Sequence, residues 1–133
     1  MAINRLYKME FSDFCKAHGI ELAILFGSQA TGTAKPESDI DLGVWLTKPT
    51  RQHRELQHDL INFLKTDTID PVILNYASPL LKFQVAKTGK PLYQKEPGAF
   101  AAYCSLALRQ HSDAKPFYRA TDSYLSRLIE ERK

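Results

Sequence analysis

The chain has 133 residues, of which 44% are hydrophobic and 25% are charged, and its formal net charge is +3. This composition is typical of one globular domain and excludes a disordered chain, and no apolar run reaches the roughly 18 residues that a membrane-spanning helix needs. Cys15 and Cys104 form neither a disulfide framework nor a zinc-binding pattern, which favours a reducing cytoplasm. We expect no secretory signal, because the first residues contain no continuous apolar segment. The mild positive charge is compatible with a polyanionic ligand such as a nucleotide, whereas direct nucleic-acid binding is not expected.

The first half of the chain is predicted to contain one helix and two strands. Hydrophobic spacing predicts the helix over residues 7–18, and an apolar run predicts a strand over 21–26. The small and polar residues of 28–38 are typical of a loop, or of a loop with a short helix. Strict alternation over 39–46 predicts a second strand with one apolar face. That face consists of Ile40, Leu42, Val44 and Leu46.

The second half is predicted to continue with helices and strands in alternation. An amphipathic helix over 50–66, with Thr50 as its N-cap, precedes a strand over 69–74. Pro71 lies in that strand and has no N–H, so we expect the strand at a sheet edge or at a bulge.

The remaining elements complete the predicted fold. A helix is expected from Ser78 to Gly89, then a short strand over 91–94 and a tail of two helices broken near Pro116. The order predicts an α/β (α+β) fold in which helices flank a small mixed β-sheet. We expect a single domain over 1–133, with a helical C-terminal tail over about 98–133.

The most informative pattern is Gly27-Ser28, followed after ten residues by Asp39-Ile40-Asp41. Asp39 and Asp41 are two apart on a predicted strand, so their carboxylates leave the same face roughly 6–7 Å apart. Two like charges this close are stabilised by a cation, and magnesium prefers such hard oxygen ligands while leaving positions for phosphate oxygens. The pattern therefore predicts a magnesium–phosphate site on a rigid strand.

Two further features fit the same site. Gly27 allows the backbone to approach a ligand closely, and free N–H groups in the turn after it can bind phosphate. Asp70 follows on the next strand after one crossover helix, where its carboxylate is a candidate general base or a shared ligand for a second metal.

The segment Phe26 to Val44, FGSQATGTAKPESDIDLGV, resembles the active-site motif of the polymerase-beta-type nucleotidyltransferase superfamily. The continuation over 69–93 resembles the minimal nucleotidyltransferases, which are the antitoxin halves of HEPN/minimal-nucleotidyltransferase toxin–antitoxin pairs. The resemblance covers roughly residues 20–95, and the tail after Pro97 matches only in being short and helical.

The resemblance implies a magnesium-dependent enzyme that transfers AMP from ATP to a hydroxyl, expected to be a tyrosine of a cognate HEPN ribonuclease toxin, and thereby silences the toxin. By the same resemblance, Asp39 and Asp41 hold the metals, and Asp70 orients or deprotonates the attacking hydroxyl and is a further metal ligand. Gly27 and Ser28 would hold the phosphates. A hetero-oligomer with the toxin is the expected assembly.

The sequence departs from the family pattern in the loop after Gly27-Ser28. Thr31 stands where many relatives carry an arginine, so one bidentate phosphate contact is missing and Lys35 is the remaining cation of the loop. Further cations could contribute from the helix after the third strand, although they are more typical of a solvated helix face. These cations are Lys82, Lys87 and Lys90. His53 and His58 are likewise expected to be solvated.

Two other functions stay open at this point. The same motif serves enzymes that modify a small molecule such as an aminoglycoside, although 133 residues leave little room for a sugar-binding region. Alternatively, the protein could neutralise a toxin by direct binding with an inactive site, which the missing arginine keeps possible.

Overall fold

The computed structural model describes residues 2–27, 30, 32, 39–49 and 53–131, with side-chain surroundings described as far as residue 116. Ten elements are present in these residues. In chain order they are a 3-10 helix (Ala2–Tyr7), α1 (Met9–Ala17), β1 (Ile20–Phe26), β2 (Ile40–Leu46), α2 (His53–Leu64), β3 (Ile69–Ile73), a second 3-10 helix (Leu74–Tyr76), α3 (Pro79–Thr88), β4 (Lys90–Gln94) and α4 (Ala99–Glu131).

The four strands form one mixed sheet in the order β3-β2-β1-β4. β1 pairs antiparallel with β2 and with β4, whereas β2 and β3 are parallel and joined by α2. The predicted fold class, a small mixed sheet flanked by helices, is confirmed. β3 lies at a sheet edge, as Pro71 predicts, because a residue without an N–H cannot complete a ladder on both sides.

One face of the sheet packs against α1 and α2. The predicted apolar face of β2 is buried there in full, and α2 contributes Leu56, Leu60 and Leu64, which are spaced four residues apart along the helix. Each such side chain contributes about 1.5–3 kcal/mol when it is fully buried. This core holds the sheet rigid behind the residues on its other face.

The other face of β2 is also covered, which the alternation pattern did not predict. Leu74 packs over Gly43, where an added Cβ would lie 3.1 Å from the Leu74 Cδ1 atom. Further along the strand, Trp45 meets Tyr103 of α4 edge-to-face, with ring centroids 6.3 Å apart. The helices α3 and α4 complete this second core through Val85 and other residues. At the other end of this face, Asp41 is half-buried.

Asn75 closes the end of β2 by imitating a strand backbone. Its side-chain oxygen accepts from the Leu46 N–H at 2.9 Å, and its side-chain amide donates to the Leu46 carbonyl at 3.0 Å. Both backbone groups of Leu46 are thereby satisfied beyond the end of β3.

The clearest differences from the predicted helices are at Lys8 and at Pro116. The helix expected over 7–18 begins at Met9, because Lys8 is extended and acts as its N-cap. The predicted break near Pro116 is wrong, because α4 runs through it as one helix of 33 residues. A proline removes one backbone hydrogen bond, and the helix continues on both sides of that local loss.

Other predictions for the helices hold or fall outside the described residues. The Ser78 hydroxyl accepts from the Leu81 N–H at 3.2 Å and caps α3, and Gly89 ends that helix as expected. Thr50 lies outside the described residues, as does the predicted loop apart from Ala30 and Gly32. In the described part of the chain, no helix has the length and apolarity to cross a membrane.

Candidate active site

Strand register brings three aspartates to one end of the sheet. Asp41 lies opposite Asp70 of the parallel strand β3 and opposite Phe26, the last residue of β1. Neighbouring strands are about 4.8 Å apart, and residues paired in register project to the same face. Asp39 immediately precedes β2. The three carboxylates therefore lie in one region of the molecule. The last residue of β1 lies in the same region.

The charges of this region interact. The pKa of Asp41 is raised above its ordinary value, first because the half-buried carboxyl loses solvent and then because Asp70 and Asp39 place negative charges near it. Asp39 and Asp70 are both exposed. Ionising all three groups therefore costs free energy that a cation would recover.

The donor set fits magnesium by its chemistry, since it consists of hard carboxylate oxygens whose mutual repulsion a divalent cation relieves. As the side chains stand, no three histidine, cysteine or acidic residues in the described ranges come together as a metal-ligand set. Rotation of the exposed Asp39 and Asp70 side chains would be needed to close them on an ion.

Gly27 is required beside Asp41 for two reasons. Its φ of 73° lies in the left-handed region that glycine tolerates, and an added Cβ would come within 2.2 Å of the Asp41 Oδ2 atom. The Gly27 carbonyl also accepts from the Ala30 N–H at 3.1 Å, which turns the chain away from β1. This glycine therefore provides the space that the Asp41 carboxylate occupies.

His53 is the residue that sequence reasoning missed. Its Nε2 atom lies 3.5 Å from the Asp70 Oδ1 atom, with the two side chains 49% and 55% exposed. His53 is exposed, as expected, but its contact with Asp70 was not predicted. The available signal was its place at the start of the crossover helix that leads into β3, but a helical spacing pattern does not show which strand residue such a side chain meets.

The residues proposed to bind phosphate, and the additional lysine Lys82, differ in where the structure places them. Ser28 and Lys35 lie outside the described residues, as does Thr31. Lys82 is buried at the junction of α3, α4 and the sheet, where its Nζ donates to the Gln110 Oε1 atom at 3.2 Å.

Lys82 also lies against the second core rather than near the aspartates. Its Nζ is 5.8 Å from the centroid of the Trp45 ring, which is four residues along β2 from Asp41, or about 13 Å by strand rise. Lys87 and Lys90 are exposed, as expected for a solvated surface.

The family described as polymerase beta, nucleotidyltransferase, matches residues 10–98, which include every strand and all three aspartates. The chain belongs to the polymerase beta nucleotidyltransferase family. The resemblance carried by Phe26 to Val44 is confirmed at this level.

Individual relatives of this nucleotidyltransferase agree with that assignment. The chain is 28% identical over 124 residues to the protein adenylyltransferase MntA of Aphanizomenon flos-aquae (strain 2012/KM1/D3), covering 85% of this chain and 83% of the relative. A toxin–antitoxin structure with AMP-PNP superimposes with a TM-score of 0.77 at 24% identity, covering 89% of this chain and 97% of the other.

A second solved structure has the same fold. It contains tri-AMPylated Shewanella oneidensis HEPN toxin in complex with MNT antitoxin, and it matches with a TM-score of 0.73 at 22% identity. The match covers 95% of this chain and 99% of the other chain. The fold of the nucleotidyltransferase is therefore shared along nearly its whole length.

Proposed function

We propose that this nucleotidyltransferase is a magnesium-dependent protein adenylyltransferase and an antitoxin. It transfers AMP from ATP to a hydroxyl, expected to be that of a tyrosine, on a cognate HEPN ribonuclease toxin and neutralises it. The observation that carries the proposal is the register that sets Asp41 beside Asp70, with Asp39 and Gly27 adjacent. The similarity to MntA, a protein adenylyltransferase, supports a protein acceptor over a small molecule.

The three aspartates have different proposed roles, according to their positions. Asp39 and Asp41 would hold magnesium, with Asp70 as a further ligand at the edge of the cluster. When bound, the metal would neutralise triphosphate oxygens and the departing pyrophosphate. The Asp70 side chain is 55% exposed, so an incoming hydroxyl can reach it.

The transfer of AMP needs only ATP and the acceptor hydroxyl as reactants. The hydroxyl oxygen of the acceptor attacks the α-phosphorus of ATP, and the bond to the bridging oxygen breaks as pyrophosphate leaves. Asp70 orients the hydroxyl and takes its proton. Gly27, with Ser28 and Lys35 after it, would bind the triphosphate. Most of the rate enhancement comes from positioning and from charge stabilisation.

The proposed function also includes a domain organisation, an assembly and a cellular compartment. The chain acts as one nucleotidyltransferase domain over 1–133 with its C-terminal tail, in a hetero-oligomer with the toxin and in the cytoplasm. The free cysteines Cys15 and Cys104 are compatible with a reducing compartment.

The experiment uses the purified chain, magnesium, ATP and the cognate HEPN toxin, followed by intact mass of both proteins. We expect the partner to gain one or more AMP masses, and Asp41→Asn to abolish the gain. Asp13→Asn is the matched control, because Asp13 is an exposed aspartate on α1. Unchanged transfer by Asp41→Asn would remove the catalytic assignment.

One observation favours a second function, an antitoxin that acts by binding alone. The loop after Gly27-Ser28 has Thr31 where many relatives carry an arginine, so one phosphate contact is missing. This function predicts that alanine at both Asp39 and Asp41 still neutralises the toxin. The adenylyltransferase function predicts that this double variant fails to neutralise it while still folding.

A further inference from the structure

The contact between His53 and Asp70 joins two different layers of the molecule. Asp70 lies on the sheet face opposite Ile69, and Ile69 belongs to the core that α2 covers. His53 is the first residue of α2 and so comes from that other layer. It can reach Asp70 because β3 is an edge strand and leaves a way around the sheet. Asp41, on an interior strand, is shielded from the same approach.

Asp70 needs such a contact if its orientation matters. Its carboxylate is 55% exposed on a sheet edge, and the charge of Asp41 acts on it from β2. An exposed carboxylate of this kind is free to rotate, and repulsion from Asp41 favours rotamers that turn it away. His53 approaches the Oδ1 atom, which leaves the Oδ2 atom for another partner.

The separation of His53 and Asp70 is typical of a weak side-chain contact that can adjust, and not of a short, fixed hydrogen bond. The Nε2–Oδ1 separation of 3.5 Å exceeds an ordinary N–H···O hydrogen bond, and both side chains are about half exposed. A small rotation of either side chain closes the distance. Pairs this exposed contribute little to stability, so a role in stability and a role in orientation are separable by experiment.

We propose that His53 is a positioning residue that orients the Asp70 carboxylate toward the acceptor hydroxyl. The inference rests on the proposed function, since it gives the same site one further residue. In this arrangement a proton on the Nε2 atom of His53 would be donated to the Asp70 Oδ1 atom. The inference predicts an effect on the turnover of bound acceptor rather than on the binding of nucleotide.

The test compares His53→Ala and His53→Gln with the unmodified protein in AMP transfer to the HEPN partner. We expect His53→Ala to lower kcat roughly tenfold, because small misplacements of a reacting group are costly, with the Kd for ATP and the melting temperature nearly unchanged. His53→Gln retains an N–H donor and should recover part of the rate. His58→Ala is the matched control, since His58 lies on the same helix, is exposed and contacts Asn62 instead.

A double-mutant cycle decides the mechanism. If His53 acts through Asp70, His53→Ala should cause no further loss of kcat in an Asp70→Ala background. An equal loss in both backgrounds, an unchanged kcat in His53→Ala, or the same loss in His58→Ala would overturn the inference. If His53→Ala lowers the melting temperature, the test rests on the rate of His53→Gln compared with that of the unmodified protein. A His53→Gln variant that recovers none of the rate would count against the inference. Retained transfer by Asp41→Asn is a separate result that removes the proposed function itself.

Discussion

Asp41 and Asp70 lie directly opposite each other on the parallel strands β2 and β3. Their carboxylates therefore share one face at the spacing of neighbouring strands, with Asp39 just before β2. The arrangement concentrates negative charge at this end of the sheet. The molecule thus carries an electrostatic cost at the position where the proposed chemistry needs a cation.

Replacement of Asp41 should reveal that cost as a pH-dependent stability. In the folded protein the pKa of Asp41 lies above its ordinary value of 3.8. Between these two pKa values the folded protein binds more protons than the unfolded chain, so the free energy of unfolding falls as the pH rises. We expect Asp41→Asn to increase the free energy of unfolding at neutral pH and the increase to shrink toward pH 3.8. Urea unfolding across this pH range, beside Asp13→Asn, measures it, and a less stable Asp41→Asn at neutral pH would contradict the account.

Magnesium should stabilise the folded protein through the same carboxylates. A cation that binds only the folded state raises the melting temperature by mass action. We expect magnesium to raise the melting temperature of the unmodified protein more than that of the variant with alanine at Asp39 and Asp41. Thermal unfolding with increasing magnesium, in the absence of nucleotide, provides the measurement. Equal shifts in the two proteins would show that the ion acts elsewhere.

Gly27 can be tested against a glycine with the same backbone strain. Gly27 and Gly19 both have positive φ, but an added Cβ meets Asp41 at Gly27 and nothing within 4 Å at Gly19. Alanine at Gly19 should cost about 1–2 kcal/mol of stability and leave AMP transfer unchanged. Alanine at Gly27 should displace the Asp41 carboxylate and abolish most of the transfer as well. Comparable activity of the two variants in the intact-mass assay would argue against a role for this space.

The Asn75 side chain offers a stability prediction that is independent of the active site. Asn75→Ala removes both bonds to the Leu46 backbone and should lower the free energy of unfolding by about 1–3 kcal/mol. Asn75→Asp keeps an acceptor for the Leu46 N–H but loses the donor to its carbonyl, so an intermediate loss is expected. Urea unfolding distinguishes them, and an Asn75→Ala variant of unchanged stability would show that water replaces both bonds.

The sequence predicted those parts of the fold that depend on local patterns. Alternation over 39–46 located β2 and its buried face, and Pro71 placed β3 at an edge. The neighbourhood of Asp41 and Asp70 followed from the strand–helix–strand order, since such a unit forms adjacent parallel strands.

The parts that were missed depend on tertiary contacts between distant segments. Nothing in the alternation of β2 shows that Leu74 packs over Gly43 or that Tyr103 packs against Trp45. The meeting of His53 with Asp70 likewise depends on how α2 crosses behind an edge strand. The continuation of α4 through Pro116 shows that proline lowers helix propensity without dictating a break.

The most direct test of the central claim is intact mass spectrometry of the HEPN partner after incubation with this protein, magnesium and labelled ATP. The account predicts a gain of one or more AMP masses on the partner, a loss of its ribonuclease activity, and neither effect with alanine at Asp39 and Asp41. A stable complex with a silenced but unmodified partner would contradict it and would establish neutralisation by binding alone.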